Sequence, residues 1–193
     1  MTAPRRTGSA ARRRILAATA IALTGLLAGC AEDKNTTDAA PPKPSASPSP
    51  SADPQAAEKA RVLAAYTGFW SESVKAYAAG SDKGTELVKY AANQALDDAL
   101  TDIANQKKAG LTMQGAPGHR AEASALYMTG ERPRATITDC LELSSWRTVD
   151  LSTGKEVPYP SEQPLRYVAV AEVEQWSGRW MVVTMTPNGD RTC

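Results

Sequence analysis

Two β-rich runs, LRYVAVAEVEQW over residues 165–176 and RWMVVTMT over 179–186, are separated by Ser177-Gly178 alone. No other feature limits the fold as much. A two-residue connection between β-branched, aromatic strands is a hairpin, and a Gly there supplies the positive φ that such turns require. It pairs Trp176 with Arg179, Gln175 with Trp180, Val173 with Val182 and Ala171 with Thr184. One face then carries Tyr167, Ala169, Ala171, Val173, Trp180 and Val182. The opposite face mixes Glu172, Glu174 and Arg179 with Val168, Val170, Met181 and Val183. The first face is expected to pack on helices.

Helices come earlier in the chain. Asp53-Pro54 reads as an N-cap followed by a first-turn proline. Ala60, Leu63, Ala64, Thr67, Trp70, Val74 and Tyr77 then recur at spacings of three and four, up to a C-cap at Gly80. A second helix follows the GSDKG turn, with Leu87, Tyr90, Ala91, Leu96, Ala99, Leu100 and Ile103 on its apolar side. It ends at Lys107, Lys108 and Gly110. Beyond Gly110 the period is that of strands, among them RATITDCLEL. Helices first and an antiparallel sheet afterwards make an α+β domain.

That domain occupies residues 54–193. From Ala31 to Asp53 the chain has almost no large apolar side chain, while Pro41, Pro42, Pro44, Pro48 and Pro50 alternate with Ser and Ala. Such a segment cannot bury enough surface to fold, so residues 30–53 are expected to be a disordered, extended tether. Before it, Arg5, Arg6, Arg12, Arg13 and Arg14 precede the uncharged run ILAATAIALTGLLAG at 15–29. This describes an export signal, and the run falls short of the roughly 20 residues that span a bilayer.

Leu27 and the small residues Ala28 and Gly29 lead straight into Cys30. The four resemble the lipobox of bacterial lipoproteins. The resemblance implies a diacylglyceryl group on the Cys30 sulfur, cleavage just before it, and a mature protein held on the outer face of the cell membrane. Two acyl chains anchor stably where one does not. RRRIL at 12–16 also resembles a twin-arginine export signal, and the general secretory route stays open beside it.

The whole chain has 22 basic and 21 acidic residues. Five of the basic ones lie in the signal, so the remainder is acidic by four. A mildly acidic chain without a basic cluster is a poor nucleic-acid binder. With Cys30 lipidated, Cys140 and Cys193 remain as an even pair in an exported chain, the usual setting for a disulfide. The competing readings are two free thiols or a metal pair, and the latter lacks partner ligands.

Catalytic signals are sparse. The single histidine, His119, sits in the loop-like APGHRAE and is expected to be a solvated side chain without a metal role. Asp98 and Asp102 read as a solvated acidic helix face. Asp139 shares its side of a strand with Ile137 and Leu141, so it is either a general base in the interior or an acceptor of backbone hydrogen bonds. Trp70, Asp139, Tyr167 and Trp180 are the candidate pocket residues, and no cofactor or metal is implied.

The helix AYTGFWSESVKAYAAGS, then LVKYAANQALDDAL, TITDC, and RYVAV with WSGRWMV up to DRTC are similar to actinobacterial lipoproteins carrying a nuclear-transport-factor-2-like domain. This implies two N-terminal helices on a curved antiparallel sheet forming a cone. The functional expectation is a non-enzymatic binding or scaffolding module of the cell envelope, with an envelope protein or small hydrophobic ligand as partner. The rival is a small enzyme or carrier for a hydrophobic ligand in the cone.

Overall fold

The computed structural model describes residues 53–193. The expected signal peptide, lipobox and tether, with Cys30, lie outside the described residues.

Helix α1 spans Ala56–Ala79. It begins two residues later than Asp53-Pro54 suggests: Asp53 Oδ1 accepts from the Gln55 N–H at 2.8 Å and so caps a turn ahead of the helix. The other end follows the sequence, with Gly80 left-handed at φ 61°. The expected second helix is two helices, α2 at Leu87–Tyr90 and α3 at Asn93–Lys108. The break has a definite cause. Ala92 turns its N–H away from the helix to the Val182 carbonyl at 2.9 Å, and Ala91 bridges Val182.

Seven strands follow: β1 Leu111–Gly115, β2 Ala121–Tyr127, β3 Arg134–Glu142, β4 Trp146–Asp150, β5 Glu156–Val157, β6 Arg166–Trp176 and β7 Arg179–Asn188. They form two antiparallel sheets rather than one. The larger has the order β2-β3-β6-β7, and the smaller β1-β4-β5. They divide at Ser144-Ser145, where the Trp146 N–H donates to the Leu143 carbonyl at 2.9 Å and turns the chain out of the larger sheet.

The hairpin register holds at Trp176–Arg179, Gln175–Trp180 and Val173–Val182, then slips by one. Ala171 faces Met185, and Thr184 faces Glu172, because a bulge lies at Val183. The bulge buries Val183 (5 % exposed) on the side expected to face outward. Val168 is buried too, and its N–H donates to the Arg191 carbonyl of the returning tail. β7 also runs through Pro187. As an edge strand it tolerates a residue with no N–H.

The main core joins Val62, Tyr66 and Phe69 of α1 and Ala95, Ala99 and Ile103 of α3 to Ala135, Ile137, Ala171, Val173 and Val182 of the larger sheet. Cys140 and Cys193 form a disulfide with Cα atoms 5.9 Å apart, inside the range that such a bridge spans. It ties the tail to the central strand β3. No helix among the described residues is long and apolar enough to cross a membrane.

Candidate functional site

The site grows from one strand. On β3, burial alternates so that Ile137, Asp139 and Leu141 all turn inward, each 2 % exposed or less. A carboxylate in that position must be hydrogen-bonded to be tolerated. Asp139 receives three donors. The Tyr66 hydroxyl donates to Oδ2 at 2.9 Å, His119 Nδ1 lies 2.7 Å from the same oxygen, and the Arg120 N–H reaches Oδ1 at 2.7 Å.

Each donor is delivered by a different device. Tyr66 lies on the inward stripe of α1, four residues beyond Val62 and three before Phe69. Burial first, and the Asp139 charge second, push the Tyr66 hydroxyl above its ordinary pKa, so it remains a donor. His119 and Arg120 come from the stretch before β2, which continues the ladder along β3. Gly118 and Glu142 exchange backbone hydrogen bonds at 2.8 and 2.9 Å, as do Arg120 and Cys140 at 3.2 and 3.3 Å.

Around this anchor the aromatic rings meet edge to face, except that Trp70 and His119 are tilted at 48°. Trp70 lies 5.0 Å from the His119 ring, 6.4 Å from Tyr66 and 5.8 Å from Trp146, and Trp146 in turn stands 5.3 Å from Tyr77. Between α1 and the 116–121 stretch they leave a cleft of about 460 Å³, walled chiefly by Tyr66, Thr67, Trp70, Val74, Pro117 and His119. Lys75 stands at its rim with its ammonium 2.6 Å from Glu72 Oε1.

The structure redistributes the expected pocket residues. Trp70 walls the cleft, and Asp139 lies beneath it, behind Tyr66 and His119. Trp180 is not there: it is 4 % exposed and its indole N–H donates to Glu58 Oε1 at 2.6 Å. Tyr167 is half-buried against Leu141, Leu143 and Ala169, outside the cleft lining. His119 is the main correction. The residue as a whole is exposed, but its imidazole is only 27 % exposed and is hydrogen-bonded to Asp139. Asp98 and Asp102 are exposed, as a solvated acidic face would be, and Asp102 also accepts from the Tyr77 hydroxyl at 3.4 Å.

Asp139 answers its two sequence readings with elements of both. It is interior, and it accepts a backbone N–H. With both oxygens engaged and 1 % exposure, it does not itself reach the cleft. Among the described residues, no three His, Cys, Asp or Glu side chains cluster as a metal site.

No protein-family model matches the chain. No curated protein matches it either. Among solved structures, a crystal structure of the intermembrane space region of chloroplast protein ARC6 is similar, with a TM-score of 0.47 and 13 % identity over 72 % of this chain and 99 % of that one.

Proposed function

We propose that this chain is a lipoprotein, anchored through a diacylglyceryl group on Cys30 to the outer face of a bacterial membrane, whose α+β domain serves as a binding module of the cell envelope. On this reading the helices and sheets build a cone of the nuclear-transport-factor-2-like kind. The observation that carries the proposal is the Cys140–Cys193 disulfide. Such bridges persist in oxidising compartments and are rare in the cytoplasm, so it agrees with the export signal and lipobox read at residues 1–30.

The walls of the cleft favour binding over chemistry. Asp139 is spent on orienting its neighbours, and no hydroxyl or thiol among the described residues is hydrogen-bonded to the second nitrogen of His119. A small enzyme or carrier is the second reading, and the Asp139–His119 pair is the observation in its favour. The direct test is Cys30→Ser in cells fed radiolabelled fatty acid. The proposal expects wild-type protein to carry label and the variant to carry none. Equal labelling of the two would overturn the anchor.

A further inference from the structure

We propose that the cleft beside α1 binds a neutral, mostly apolar molecule bearing a hydroxyl group, and that His119 Nε2 accepts the hydrogen bond from that hydroxyl. The inference rests on the binding-module reading and adds the chemistry of the occupant.

Shape and lining give the first part. A volume of about 460 Å³ lies in the ordinary range for small-molecule sites, which are mostly apolar with a few placed polar groups. Tyr66, Trp70, Val74 and Pro117 offer flat, apolar walls. The one cation in the lining, Lys75, is engaged by Glu72, whose other oxygen takes the Glu86 N–H at 2.8 Å. Among the described residues, no unpaired cation lines the cleft to meet an anionic head group.

The polar reading comes from the buried carboxylate. As a carboxylate Asp139 can only accept, so the neutral imidazole of His119 must carry its proton on Nδ1, the nitrogen 2.7 Å away. Nε2 is then a lone pair on the opposite side of the ring, with no partner among the described residues. Trp70 at 5.0 Å and Tyr66 at 6.1 Å pack against the ring. A ligand that offers a donor satisfies Nε2, and one that offers only an acceptor meets a lone pair. Asp139 is therefore a positioning residue that sets which hydrogen-bond partner the site accepts.

The chain holds one histidine, so ¹⁵N-labelled imidazole gives a single, assigned reporter. The experiment titrates the full chain as extracted from its own cells, whether or not it carries lipid, at mildly alkaline pH, with 2-naphthol and with 2-methoxynaphthalene. These share an apolar body and differ in the donor. The expected result is a His119 signal of the Nδ1–H form and binding of 2-naphthol about tenfold tighter, the effect of one hydrogen bond. In Asp139→Asn the amide oxygen keeps the Arg120 N–H and the amide nitrogen donates to Nδ1. The proton then moves to Nε2, which donates equally well to either probe's oxygen, and the preference for 2-naphthol is lost.

His119→Phe keeps the apolar wall and removes the acceptor; both probes should then bind equally. Equal affinity of the probes in the wild type, or binding of neither, overturns the inference. So does a 2-naphthol preference that survives in His119→Phe. The fatty-acid labelling reads the anchor independently, so failure of either idea leaves the other measurable.

Discussion

Single side chains decide how this domain tolerates polar groups inside it. Tyr66 gives the buried Asp139 one of its three donors, and burial keeps that hydroxyl protonated. Tyr66→Phe removes a hydrogen bond to a charged acceptor and should cost about 2 kcal/mol of stability, measured by urea unfolding. Glu72 is a second case. The Glu86 N–H first, and the Lys75 ammonium second, hold its carboxyl below the ordinary value of 4.5. A group whose folded pKa is depressed stabilises the fold above its unfolded pKa and loses that contribution as pH falls through the folded value. The melting temperature of wild-type protein should thus fall more steeply below pH 4.5 than that of Glu72→Gln, and thermal scans across that range check it. At this scale the sequence was partly legible. Alternation along TITDCL puts Asp139 inside, but its partner His119 was hidden. Finding it needs the β2–β3 register, which carries a bulge between Ala123 and Ala125 and no two-residue turn to fix it.

Elements formed where local chemistry and tertiary packing agree. The Ser177-Gly178 hairpin is such a place: both residues have positive φ, 51° and 80°, the turn that matches strand twist. Serine is an imperfect occupant of that region and asparagine a better one. Ser177→Asn should stabilise the domain by about 0.5 kcal/mol, read as a small rise in melting temperature with the binding probes unaffected. The other elements show where sequence runs out. The apolar period from Leu87 to Ile103 is continuous, yet β7 captures the Ala92 N–H and splits the helix. No local signal announces a hydrogen bond made by a strand ninety positions away. The bulge at Val183 is likewise a demand of the sheet, since nothing in MVVTMT marks it.

At the scale of the molecule, the tail from Gly189 to Cys193 has few apolar contacts and is held by the Arg191 carbonyl's bond from Val168 and by the disulfide. Joining residues 53 apart restricts the unfolded chain by on the order of 4 kcal/mol. Cys193→Ser should lower the melting temperature by roughly 10 °C, measured calorimetrically against oxidised wild type. The α+β class and this bridge were both readable, because the order of helical and strand periods and an even cysteine pair suffice for them. The division into two sheets was not, as it depends on the turn at Ser144-Ser145. The central claim is an exported, lipid-anchored domain, and the intact mass of the protein extracted from membranes of its own cells tests it most directly. The account predicts a chain beginning at Cys30, heavier by a diacylglyceryl group, with Cys140 and Cys193 oxidised. A chain that keeps residues 1–29 and an unmodified Cys30 would contradict it.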